Sequence, residues 1–277
     1  MLRPRLHLLL IFSVLMANAA SHHASIDGHR IHYTSHGSGS KAIVFIHGWT
    51  CDHTFWRLDL KALGAGRRVL LVDLPGHGLS DKPEISYSQA LFARAVNAVL
   101  DHAGVSRAVL AGHSMGTPVA LTFLEMFPQK TAAIVMVDGV IPRSKATPEQ
   151  REKVLARWSG PDYKATAEKM IEFMFVPATS AELRGEILRK MLETPRHVAA
   201  SAMAGMLELT PPEKIPVPAL AILANRPSAP ADYEPFLRGR VEKLDYERWD
   251  GAGHFLMMEQ SERFQKAVVT FLEKHGL

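Results

Sequence analysis

The chain has 277 residues, 47% of them hydrophobic and 22% charged, which fits one large globular domain or a domain carrying an insertion, and excludes wholesale disorder. Its formal charge is +4, falling to +2 without Arg3 and Arg5, and it has no long Lys/Arg run; nothing here supports a nucleic-acid partner or a basic membrane-surface patch. The single cysteine, Cys51, excludes an intramolecular disulfide, so stability rests on the core.

The chain opens with MLRPRLHLLLIFSVLMANAA. Two arginines, an apolar stretch from Leu8 to Met16, and small residues at Ala17 and Ala19 in an A-x-A arrangement read as a secretory signal over residues 1–20. The stretch falls short of the roughly 20 residues a membrane span requires. The expectation is an exported protein, periplasmic or extracellular, with no stable membrane insertion after cleavage. The alternative is an uncleaved N-terminal anchor.

Residues 21–141 alternate strands and helices. Two short runs flank Asp27-Gly28, a two-residue hairpin turn. KAIVFIHG, RRVLLVDLPGHG, RAVLAGHS and AAIVMVDG are continuous apolar runs that each end in Gly, Asp or Pro. Runs apolar on both faces suit parallel strands covered by helices on both sides. Ser88 can cap a helix presenting Phe92, Val96 and Val99, stopped at Gly104, and a second helix runs from Ser114 to Phe127, ended by Pro128. The spacing predicts an α/β fold with right-handed crossovers.

Residues 142–213 change character: helical periodicity carries Met170, Phe173, Met174, Met191, Met203 and Met206 before the proline-rich TPPEKIPVP. This segment reads as a helical cap inserted into the core. Its Met and Phe side chains either line a pocket for an apolar substrate or pack the cap's own interior. The core resumes over residues 214–277 with strands in PALAILA and VEKLDYERWD and a last helix over 261–275.

Gly112-His113-Ser114-Met115-Gly116 fits G-x-S-x-G, a weak pattern alone. Its position after an apolar strand and at the start of a helix is what a nucleophile elbow requires, although a helix-start serine would also fit. FIHGW, LVDLPGHGLSDKP, LAGHSMG and WDGAGHF occur in this order along the chain. In these segments, which span most of the chain from Ile26 onward, the sequence resembles the α/β-hydrolase superfamily. The resemblance implies a mostly parallel eight-stranded sheet flanked by helices, and a catalytic order of Ser, acid, His.

Ser114 is then the nucleophile. A hydroxyl attacks at neutral pH only when a base takes its proton, and His254, in the small-residue loop GAGHF, is that base. Two backbone N–H groups form the oxyanion site, one from Met115 and one from Trp49. The acid departs from the commonest pattern: Asn225-Arg226-Pro227 occupy the stretch after the seventh strand where an acid is usual. Asp138, at the end of VMVDG, is the first candidate and Asp232 the alternative. Asp73, Asp81 and His47 read as loop-shaping residues, and Cys51 as a small hydrophobe or a pocket thiol. No H-E-x-x-H, C-x-x-C or Rossmann glycine pattern occurs, so neither metal nor cofactor is expected.

The reading is a carboxylesterase-like serine hydrolase acting on a small-molecule apolar ester. A lactone hydrolase, C–C bond hydrolase or perhydrolase with the same residues, or a ligand-binding protein with little turnover, are its alternatives.

Overall fold

The computed structural model describes residues 20–39, 41–56, 63–64, 66–227 and 230–277. The stretch expected to be a secretory signal lies, up to residue 19, outside the described residues. Among the described residues no helix is long and apolar enough to cross a membrane.

Eight strands form one sheet: β1 (Ala20–Ile26), β2 (His29–Gly37), β3 (Ala42–Ile46), β4 (Arg68–Val72), β5 (Ala108–His113), β6 (Thr131–Val137), β7 (Ala219–Ala224) and β8 (Leu244–Trp249). Their order is β1-β2-β4-β3-β5-β6-β7-β8. β1 and β2 are antiparallel, joined at Asp27-Gly28, where both residues take positive φ as a tight hairpin turn demands. β2 is antiparallel to β4, and all later pairings are parallel. Every residue of β3, β5 and β7 is buried, because helices cover both faces.

The helices follow the apolar patterning. α1 (Gln89–His102) is capped by the Ser88 side chain, which accepts from the Leu91 N–H, and buries Phe92, Val96 and Val99. α2 (Gly116–Met126) follows β5 directly. Between β6 and β7 stand α3 (Pro148–Ser159), α4 (Tyr163–Glu172), α5 (Ala181–Leu192) and α6 (Arg196–Gly205). α7 (Tyr233–Arg238) precedes β8, and α8 (Leu256–Glu259) and α9 (Ser261–Lys274) close the chain.

The α3–α6 insertion is bonded to the core's loops. The Trp49 indole N–H donates to the Ala199 carbonyl at 2.8 Å, and Lys190 Nζ donates to Thr54 Oγ1 at 2.7 Å. The Thr194 hydroxyl donates to the Thr50 carbonyl at 3.2 Å, and the Tyr87 N–H donates to Ser201 Oγ at 2.8 Å. Chain reversals at the carboxyl ends of β3, β5, β6, β7 and β8 bring Trp49, Ser114, Asp138, Arg226 and His254 to one edge of the sheet, where open α/β folds place their sites.

Candidate active site

Ser114 occupies the two-residue corner, Ser114-Met115, between β5 and α2 with φ of 49°, a conformation few non-glycine residues adopt. The corner closes because its flanking residues lack side chains. A Cβ on Gly112 would run into the Gly116 carbonyl, and one on Gly116 into the Ile46 carbonyl. The Ser114 N–H donates to the Val137 carbonyl at 2.9 Å, tying the corner to β6.

Asp138 directly follows β6 in a similar strained conformation, with φ of 44°. Its Oδ1 accepts from the Ala224 N–H at 2.8 Å, and its Oδ2 accepts from His254 Nδ1 at 2.6 Å. The Arg226 guanidinium donates to the same Oδ2 at 2.5 Å. Burial alone would favour the neutral acid. The hydrogen bond and charge from His254, then Arg226 and the Ala224 N–H, outweigh it and hold the carboxyl below its usual range. With its Nδ1–H given to the carboxylate, the neutral His254 ring carries its lone pair on Nε2.

The other candidate acid lies elsewhere. Asp232 sits at the start of α7 without capping it, and pairs instead with Arg143 at 2.5 Å, both side chains more than half exposed. The structure brings Asp138, not Asp232, to His254.

Ser114 and His254 line one cavity of about 140 Å³, with Trp49, Cys51, His113, Phe255 and five methionines, Met170, Met174, Met191, Met203 and Met206. The methionines come from the insertion and the residues just after it, which answers whether that periodic face meets a pocket or only itself. Phe173 falls outside both expectations: it is 85% exposed. Among the described residues Ser114 makes no hydrogen bond to His254; such contacts commonly tighten only when substrate is bound. The N–H groups of Trp49 and Met115 have no acceptor among the described residues. The Trp49 ring is a cavity wall, packed edge-on against Trp158 at 4.9 Å.

His113 comes closer to this chemistry than its place beside the serine suggests. Its Nε2–H donates to the His254 carbonyl at 2.9 Å, and the two rings lie 4.7 Å apart. Burial, then the neighbouring His254, push its imidazole down to about 3, so it stays neutral. Cys51 is both buried and cavity-lining, and burial pushes its thiol well above the usual range.

The loop-shaping residues have defined partners. Leu74 N–H donates to His47 Nε2 at 3.0 Å, so His47 Nδ1–H donates to the Gly48 carbonyl. Asp81 accepts from the Arg30 backbone at 2.8 Å. The fully buried Asp73 belongs to a set that no local spacing reveals: His32, His53 and Asp73 place ligand atoms within 4.8 Å of one another, close enough to attract a metal ion. Asp73's oxygens already accept from the His53 and Leu79 N–H groups and from Nδ1 of both histidines. Four donors saturate the carboxylate, so the set is a hydrogen-bonded knot joining β2, the loop after β3 and the end of β4.

Residues 43–267 match the family model described as the alpha/beta hydrolase family. The chain is 29% identical over 266 residues to a 2-hydroxy-6-oxononadienedioate/2-hydroxy-6-oxononatrienedioate hydrolase of Burkholderia vietnamiensis, covering 88% of this chain and 91% of that one. Its fold resembles a thermophilic esterase from Thermogutta terrifontis, with TM-score 0.81, 24% identity, and 93% and 99% of the two chains covered. It also resembles the enol-lactonase from Burkholderia xenovorans, with TM-score 0.78, 21% identity, and 91% and 99% covered. The chain belongs to the alpha/beta hydrolase family, and is a hydrolase.

Proposed function

We propose that this chain is a serine hydrolase that cleaves carboxylic esters of small to medium apolar substrates through an acyl-enzyme on Ser114. One observation carries the reading: His254, held by Asp138, opens with Ser114 onto a cavity lined by sulfur and aromatic side chains and, among the described residues, by no Lys, Arg, Asp or Glu.

His254 Nε2 takes the hydroxyl proton as Ser114 Oγ attacks the ester carbonyl, and the oxyanion rests on the Trp49 and Met115 N–H groups. The protonated His254 returns that proton to the leaving alcohol. Water, deprotonated by the same imidazole, then attacks the acyl-serine and releases the acid. Asp138 holds the tautomer and stabilises the imidazolium. The cavity of about 140 Å³ is close to the roughly 150 Å³ of an engineered apolar cavity that takes up benzene, so it fits a ring-sized or short-chain acyl group.

The helices of residues 142–213 act as the cap over this cavity, and the leader of residues 1–20 directs export. Arg3, Arg5, the apolar stretch and the A-x-A residues support the export reading.

The dioate hydrolase at 29% identity favours a second reading, C–C bond hydrolysis with the same residues. A substrate with two carboxylates calls for cations, and the uncharged lining speaks against it. Hydrolysis of an ester series from acetyl to dodecanoyl, run beside a lactone series with wild type and Ser114→Ala, tests the proposal. Short-chain ester turnover lost in the variant is the expected result. Ester turnover no higher in wild type than in Ser114→Ala would overturn it.

A further inference from the structure

Arg226 stands after β7, in the stretch where an acid is usual, and its position turns that departure into a second feature of the site. We propose that Arg226 is a positioning residue that sets how much of the Asp138 charge is available to His254; this rests on the triad reading above. Its guanidinium donates to Asp138 Oδ2 at 2.5 Å, the same oxygen that accepts from His254 Nδ1 at 2.6 Å. The guanidinium nitrogen lies 3.4 Å from His254 Nδ1. Two donors thus converge on one carboxylate oxygen, while the other oxygen is held by the Ala224 N–H.

The Arg226 side chain is 18% exposed and that of Asp138 3%. Arg226 Nε is buried without a partner, so Asp138 is the anion that holds the guanidinium here. When His254 takes the serine proton, its imidazolium must share one carboxylate with a permanent cation beside it. Arg226 therefore opposes the imidazolium, where the carboxylate alone would favour it.

The other groups facing His254 do not supply this charge. His113, at the end of β5, is neutral, and the Cys51 thiol stays protonated. Glu259 of α8 accepts from the Gly253 N–H and from the Thr179 hydroxyl. From the insertion, Met174 presents only its carbonyl, accepting the His254 N–H at 2.9 Å. Among the described residues Arg226 is the cation at the pair, and its effect is to compete with the His254 imidazolium for one carboxylate oxygen.

The test is the pH dependence of kcat/KM on a short-chain ester for wild type, Arg226→Gln, Arg226→Met and Arg226→Lys, with Asp138→Asn assayed alongside. Both neutral variants should move the acid limb upward by about one pH unit, the low end for a charge at this distance because the site reaches solvent. Arg226→Lys should keep the limb at the wild-type position. Neutral variants whose limb overlays wild type would overturn the proposal, as would a lysine variant displaced as far as they are. If one neutral variant does not fold, the other decides. In those outcomes Asp138→Asn remains inactive and the triad reading stands; an Asp138→Asn enzyme with wild-type activity overturns both.

Discussion

Replacing Asp138 by asparagine is nearly isosteric, yet it reverses the chemistry at one atom. The Ala224 N–H needs an acceptor, so the amide oxygen takes the place of Oδ1. The amide nitrogen then falls where Oδ2 stood, facing His254 Nδ1–H at 2.6 Å and the Arg226 guanidinium at 2.5 Å, donor against donor. His254 relieves the clash by moving its proton to Nε2, where it can no longer accept from Ser114. A triad acid changed in this way loses about 10⁴-fold in rate, or about 5.4 kcal/mol of transition-state stabilisation. Steady-state kinetics on a short-chain ester, with circular dichroism to check folding, should show that loss in kcat. Asp232→Asn is the control: its surface pair with Arg143 is of the kind worth at most about 1 kcal/mol to stability, and activity should stay within about twofold. An Asp138→Asn enzyme within about tenfold of wild type, or a larger loss in Asp232→Asn, would refute the assignment.

Acid sensitivity should begin near neutrality. His77 and His113 are pushed down to about 3 in the folded chain, each by burial first and then by a neighbouring histidine, whereas unfolded histidine titrates near 6.5. The unfolded state therefore binds more protons between these values, and stability is fullest above about pH 6.5 and falls as pH drops. Two such groups give roughly 3 kcal/mol per pH unit near pH 5, read by urea unfolding, and a flat response from pH 7 to 4 would count against it. Asp73, held below the usual carboxylate range despite burial, adds its own loss only below about pH 4. Gly112→Ala drives a methyl group into the Gly116 carbonyl and should lower stability by about 3 kcal/mol or more in thermal unfolding; an unchanged melting temperature would contradict the tight corner. Met206→Ala should move the preferred acyl chain to greater length. Each further methylene buried is worth about 0.8 kcal/mol, or about fourfold in kcat/KM, and an unmoved optimum would place Met206 outside the acyl site.

Much of this molecule is written locally. The apolar runs of β3, β5 and β7, the Asp27-Gly28 turn and the Ser88 cap are short-range signals, and the structure places each where the patterning puts it. Features that depend on chain crossings are not local. Asp138 and Asp232 both lie in suitable loops, and only the packing of β6 between β5 and β7 brings the first to His254. Arg226 reads as a missing acid until its guanidinium is seen on the Asp138 carboxylate. The methionine spacing marks a helix face without saying what it covers, and Phe173, in the same run, turns out to solvent. The His32–His53–Asp73 knot joins three elements far apart in sequence, so no spacing rule finds it.

The most direct test of Ser114 as an activated nucleophile is intact-mass and peptide mapping after reaction with a fluorophosphonate, in wild type and Ser114→Ala. The geometry predicts one adduct per chain on the peptide containing Ser114, appearing in step with loss of ester turnover and absent from the variant. An adduct at another residue, or full turnover persisting in Ser114→Ala, would contradict it.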